Sequence, residues 1–244
     1  MTVDVCFSPS LYSVYHNSEA VVVVVDIFRA TTTIAQAFKH GVKSIRTVCS
    51  IEEAMEYKKQ GWLVGAEREA ERCSFADFGN SPFDYTRKKV ARKNIVFTTT
   101  NGTRAITLAQ AAHRVITGAF INLRAVVKYC KRSKRDILVL CSGWQNQVNM
   151  EDSLFAGALV DRLEQKGFSI ESDAAIMARE LWLIHKKDML HFISQSDHYH
   201  RLEEKGLLQD ISFCLQLDEI DIVPELQMNE STLILKKAKK INEP

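Results

Sequence analysis

Five consecutive valines, Val21 to Val25, constrain this chain more than any other segment. Successive strand side chains point to opposite faces, so an unbroken β-branched run has no side left for water. Such a strand is buried on both faces, which is the situation of a parallel sheet covered by helices. The run ends at Asp26-Ile27-Phe28-Arg29-Ala30 and passes into Thr31-Thr32-Thr33, where a helix with Ile34, Ala37 and Phe38 on one face begins. A second segment repeats the design: Ile95-Val96-Phe97 runs into Thr98-Thr99-Thr100-Asn101-Gly102-Thr103. Free amides at a helix start, together with clustered hydroxyls, can hold an anion. Two such turns point to a phosphate site assembled from several strand ends.

The pattern continues with strands at Ser44–Val48, Trp62–Ala66, Asn94–Thr98, Arg114–Thr117 and Ile137–Cys141. The last is wholly apolar and is expected at the centre of the sheet. Helices are expected over Thr31–His40, closed by Gly41, and from the capping box Ser50-Ile51-Glu52-Glu53 to Gly61. Others span Thr103–Ala111 and Leu123–Lys131, and Glu151-Asp152-Ser153 opens one that stops at Gly167. Beyond it, Ala174–Lys186 and Asp197–Lys205 read as helices, and Ile220–Val223 and Thr232–Leu235 as strands. Alternation of this kind predicts an α/β fold, a three-layer αβα arrangement around a largely parallel or mixed sheet. One domain over 1–244 is expected, with a smaller C-terminal lobe possible from about residue 170.

Composition removes several classes. With 32 basic and 30 acidic residues the charge is nearly balanced, which argues against a nucleic-acid partner. Lys236-Lys237-Ala238-Lys239-Lys240 reads as a solvated basic tail. The six cysteines contain no Cys-x-x-Cys pair, against a zinc knuckle or a disulfide framework. The start of the chain lacks a signal-peptide pattern, and no apolar run reaches membrane-spanning length. A soluble, cytoplasmic protein with no membrane partner is expected; homo-oligomerisation is left open. No phosphate loop of the Gly-x-x-x-x-Gly-Lys type, no Gly-x-Gly-x-x-Gly and no Gly-x-Ser-x-Gly elbow occurs. Phe28 also stands where an Asp-x-Asp-x-Thr phosphatase loop needs its second aspartate.

In an open parallel sheet, ligands sit at the carboxyl ends of the strands. The candidates there are Asp26 and Arg29, Glu67 and Arg68, Thr98 to Thr103, Thr117-Gly118 and Ser142-Gly143. Glu151 and Asp152 join them at the next helix start. Carboxylates, arginines and hydroxyls at one rim suit a phosphate ester held with Mg2+, a cation that takes oxygen ligands and retains water. Asp26, Glu151 and Asp152 are the expected metal ligands, and Arg29 the phosphate clamp. Thr31, Thr32, Thr33, Thr100 and Thr103 supply hydroxyls and amides, with Asn101-Gly102 forming a left-handed turn that aims amides inward. The irregular stretch Glu69–Pro82, with Gly79-Asn80-Ser81-Pro82, has the length of a functional loop. Asp197-His198-Tyr199-His200 is read as a solvated helix face, because residues two apart do not share a face.

Asp26 to Thr33, Glu67-Arg68, Gly79 to Pro82, Thr98 to Thr103 and Glu151-Asp152 occur in an order that resembles the 2-phosphosulfolactate phosphatase family. The resemblance extends over most of the chain, including Phe213-Cys214 and Val223-Pro224. It implies a magnesium-dependent phosphatase that converts 2-phosphosulfolactate and water to sulfolactate and phosphate, a step toward coenzyme M. In that reading Asp26, Arg29, Glu67 and Asp152 are catalytic, and Arg68, Asn80 and Ser81 contact the substrate, a small phosphorylated acid. The sequence departs from the family pattern at Ala66 and Glu69, which flank Glu67-Arg68 where the family has a glycine. Glu71 adds a further acid, for which Arg72 is the expected neutralising partner. The alternatives are a phosphatase for another small phosphorylated hydroxy acid, or a non-catalytic sensor of a phosphorylated metabolite.

Overall fold

A computed structural model describes residues 1–229 and 232–239. Its strands are β1 (Val3–Cys6), β2 (Val21–Val25), β3 (Ser44–Thr47), β4 (Leu63–Arg68), β5 (Glu71–Arg72), β6 (Asn94–Thr98), β7 (Arg114–Gly118), β8 (Ile137–Cys141), β9 (Pro224–Asn229) and β10 (Thr232–Lys237). They form one ten-stranded sheet in the order β1-β8-β2-β7-β9-β10-β3-β6-β4-β5, flanked by helices. The α/β architecture is as expected, and most neighbours are parallel. β1, β8, β2 and β7 form one parallel set, and β3, β6 and β4 another.

The hairpin β9–β10 lies between the two sets. Three antiparallel pairings separate β7 from β3, so the two parallel sets run in opposite senses. The structure corrects three local readings. Ile220–Val223 is not a strand, β9 beginning instead at Pro224. Lys236 and Lys237 belong to β10 rather than to a tail, and Lys240 lies outside the described residues. Ile137–Cys141 is buried throughout, but it lies one strand in from the edge. β9 hides in the sequence because a charge sits inside it: buried Glu225 accepts from Arg114 Nη1 at 2.6 Å and from the Tyr129 hydroxyl at 3.0 Å.

The valine run divides as strand geometry requires. Val21, Val23 and Val25 face a cluster that includes Phe155 and Leu159 and takes in Ala178, Trp182 and Ile211 from the C-terminal helices. Val22 and Val24 face a second cluster, with Ile34 and Phe38 of helix Ala30–Lys39 and with Ile45, Ile95 and Phe97 of the opposite strand set. Each valine is wholly buried, contributing roughly 2 kcal/mol by removal from water. The second cluster locks the two strand sets together. Among the described residues no helix is long and apolar enough to cross a membrane.

Candidate active site

The turn after β2 is stitched by its own side chains. Thr31 Oγ1 donates to the Asp26 carbonyl at 2.9 Å and accepts from the Asp26 amide at 3.1 Å. Thr32 donates to the Ile27 carbonyl at 3.1 Å, and Thr33 to the Asn80 carbonyl at 2.7 Å. These three hydroxyls, expected to hold phosphate, are buried in backbone bonds and are not among the residues lining the cavity beside Asp26. They fix the turn that presents Asp26. Asp152 does the same from below: Oδ1 accepts from the Ile27 amide at 2.8 Å and Oδ2 from the Gly143 amide at 3.2 Å. With one amide on each oxygen, Asp152 supports the Asp26 loop and keeps lone pairs on both.

The turn after β6 meets this loop from the opposite strand set. Gly102 is the reason it can. A Cβ there would lie 2.8 Å from Asp26 Oδ2 and 2.9 Å from Ala30 Cβ, so only glycine allows the approach. The expected left-handed Asn101-Gly102 turn is absent, since Asn101 has φ −119° and Gly102 is not in the positive-φ region. Thr103 is not an exposed cap either; its buried hydroxyl donates to the Thr99 carbonyl at 3.1 Å.

Between the two turns lies a cavity of about 390 Å³. Of the expected residues, Asp26, Arg29, Glu67, Asn80, Thr100 and Asn101 line it, and Thr99 joins them. Arg68, Ser81, Gly102, Thr103, Glu151 and Asp152 do not, nor do Thr117-Gly118 and Ser142-Gly143. Arg68 is turned away, donating to the Glu67 carbonyl at 2.6 Å and to Thr98 Oγ1 at 3.0 Å. Arg29 reaches the cavity and is held there by a buried pair with Asp210 at 2.7 Å and by the Ala70 carbonyl at 3.0 Å, two of its five N–H donors. Ser81 donates to the other Asp210 oxygen at 2.9 Å. Glu67 accepts from the Ala70 amide at 2.7 Å. Glu69 and Ala70 have left-handed φ of 52° and 65°, the conformation a glycine adopts without strain. The added acid Glu71 is exposed and pairs with Lys205, not with Arg72.

Helix Asp197–Glu204 closes the far wall and overturns the reading of its histidine as solvated. His198 lines the cavity, its Nδ1 held 2.6 Å from Oε1 of the wholly buried Glu151. His200 is exposed, on a different face. Trp144, Arg201 and Lys205 also line the cavity. His198, Arg201 and Lys205 are spaced i, i+3, i+7, one helical face, and that spacing was the signal available in the sequence.

The carboxylates crowd one another. Burial pushes the Asp26 carboxyl up to about 6, helped by Glu67 and Glu151 and opposed by His198 and the Ala30 amide. Burial, then Glu151 and Asp26, hold Asp152 well above the carboxylate range against its two amide bonds. Such a group either takes up protons or is accompanied by a cation. Among the described residues no cluster of three or more His, Cys, Asp or Glu forms a metal cage. Mg2+ does not need one: it takes one or two carboxylates, water and substrate oxygens. Asp26 and Glu67 supply that, and two buried oxygens of cavity residues, Thr99 Oγ1 and Asn80 Oδ1, lack partners. The donor set therefore fits a hard cation.

Oppositely running strand sets whose carboxyl ends meet around buried carboxylates define an α/β protein with an acid-lined, oxygen-donor site. The chain belongs to the 2-phosphosulpholactate phosphatase family, whose model matches residues 6–229. It is 39% identical over 204 residues to a probable 2-phosphosulfolactate phosphatase of Thermotoga maritima, covering 84% of this chain and 88% of that one. A probable 2-phosphosulfolactate phosphatase of Caldanaerobacter subterraneus subsp. tengcongensis is 36% identical over 210 residues, 84% of this chain and 87% of its own. One from Clostridium novyi is 34% identical over 235 residues, 95% of this chain and all of its own.

Proposed function

We propose that this chain is a magnesium-dependent phosphomonoester hydrolase that converts 2-phosphosulfolactate to sulfolactate and phosphate, the reaction of the coenzyme M route. The observation that carries the reading is Asp26, a buried carboxylate with a raised pKa, opening into a cavity with Glu67 and two unpartnered oxygens. Family membership supplies the reaction class, and the names given to the relatives supply the substrate. Asp26 and Glu67 would hold the metal. Magnesium, when bound, would neutralise charge on the phosphoryl oxygens. Asp26 lies where it can orient the phosphate and the group that attacks it. Thr99, Thr100 and Asn101 close the opposite side of the phosphate. His198, fixed by Glu151, is placed to exchange a proton with the departing alkoxide oxygen.

The test is phosphate release from 2-phosphosulfolactate by protein stripped of metal and then given Mg2+ or chelator. Release that needs Mg2+, and that falls by about 10³-fold or more in Asp26→Asn, is the expected result. Release at the same rate in chelator would remove the metal from the account. Tight binding of the ester with no release would favour a sensor.

A further inference from the structure

We propose that Arg201, stacked on Trp144, recognises the second acid of the substrate, and so selects phosphomonoesters that carry a carboxylate or sulfonate beside the ester carbon. The inference rests on the phosphatase reading and adds a specificity-determining residue to it.

Three other cations on or near the cavity already hold protein acceptors: Arg29 on Asp210 and Ala70, Arg68 on Glu67 and Thr98, and Lys205 on Glu71. Arg201 makes no ion pair or hydrogen bond among the described residues, and its Nε is buried without a partner. What it does have is a platform. Its guanidinium carbon lies 3.7 Å from the centroid of the Trp144 ring. Stacking occupies the flat face of a guanidinium and leaves its N–H edge for a bidentate oxyanion.

Trp144 is held in place by the tight turn that follows β8. Gly143 has φ +58°, and a Cβ there would lie 2.1 Å from the Gln147 carbonyl oxygen. The Trp144 amide donates to that carbonyl at 3.1 Å, and the Gln147 amide returns a bond to the Trp144 carbonyl at 2.8 Å. The platform is therefore built by the fold, from residues on a different element than the arginine it carries.

Position assigns Arg201 to the tail rather than to the phosphate. His198 marks the deep end of the helix wall, bonded to buried Glu151 and with a side chain 17% exposed. Lys205, 35% exposed, marks the mouth. Arg201 lies between them, about 4.5 Å outward from His198 along the helix axis. A phosphate seated at Asp26 would place the adjacent carbon, and the acid on it, toward that arginine. An oxyanion there gains two charge-assisted hydrogen bonds that a neutral tail does not offer.

The experiment measures kcat/KM for four phosphomonoesters in Mg2+: 2-phosphosulfolactate, 2-phospholactate (carboxylate only), the phosphate ester of 2-hydroxyethanesulfonate (sulfonate only) and ethyl phosphate (neither). The readout is the ratio of each acidic ester to ethyl phosphate, because a merely structural loss lowers all four rates together and leaves the ratios alone. In Arg201→Met at least one ratio is expected to fall about 100-fold, mainly through KM, and Arg201→Lys is expected to recover part of it. Trp144→Leu is expected to lower the same ratio about five-fold. The arm that falls furthest names the acid. Unchanged ratios in Arg201→Met, or equal loss on all four esters, would overturn the assignment. Should the wild type release phosphate from none of them, the phosphatase reading fails. Arg201 is then judged by calorimetric binding of sulfolactate, where a Kd about 30-fold weaker in Arg201→Met supports it and an unchanged Kd overturns it.

Discussion

Gly102→Ala is the sharpest test of how the two turns are joined. The added methyl would lie 2.8 Å from Asp26 Oδ2, 2.9 Å from Ala30 Cβ and 3.3 Å from Asp26 Cβ. Ordinary contacts between such atoms start near about 3.5 Å, so something must retreat by about 0.7 Å. The helix carrying Ala30 is buried from Ala30 to Phe38 and has no room to move. The Asp26 carboxylate is the freer partner, tied by one amide bond to Ala30 N at 3.2 Å. A displacement of that size at a reacting group costs on the order of 10²-fold in rate, and overpacking of this kind about 1–3 kcal/mol in stability. Phosphate-release kinetics and urea unfolding of the same preparation measure both. Gly61→Ala is the control: its φ is +84° with nothing within 4 Å of the added methyl, so about 1 kcal/mol of stability is lost with activity retained. If Gly102→Ala kept wild-type kcat/KM and wild-type stability, the close approach of the two turns would be wrong.

Three further outcomes are expected. The Asp26 carboxyl rises from 3.8 to about 6 in the folded state, so the native protein binds that proton more tightly than the unfolded chain does. The contribution is full below the unfolded pKa and is lost as pH rises through about 6. Metal-free protein should lose about 3 kcal/mol of stability from this group between about pH 4 and pH 8. Urea melts across pH should show that slope in wild type and not in Asp26→Asn. Asp210→Ala leaves the Arg29 cation buried without its partner, and urea unfolding should register a loss of about 3–5 kcal/mol. His198→Ala should lower kcat by about 10²-fold in steady-state kinetics, and equal kcat would remove it from proton transfer.

The strands that carry the site were legible because their burial is written locally. Val21 to Val25 and Ile137 to Cys141 have no polar side, and Gly41, Gly61 and Gly167 stop helices where left-handed backbone occurs. β9 was not legible, because Glu225 belongs in its strand only through Arg114 and Tyr129, which are remote in sequence. Without that hairpin the reversal between the two strand sets has no local signal. At the site, Asp26, Glu67 and Asn80 stood out by type and position. Thr31, Thr32 and Thr33 misled because hydroxyls suited to an anion are equally suited to backbone carbonyls, and burial decided for the carbonyls. Arg29 lines the cavity as expected, but its buried partner Asp210, in a distant helix, had no local signal. His198 was discounted by comparison with His200, when the informative comparison ran along its own face to Arg201 and Lys205.

The most direct measurement is a crystal structure of the protein with Mg2+ and a non-hydrolysable phosphonate analogue of the substrate. The phosphonate is expected between Asp26 and the Thr99–Asn101 turn, with the cation on Asp26 and Glu67 and the second acid toward Arg201. Density for phosphonate and cation anywhere else on the molecule, with this cavity holding only water, would contradict the account.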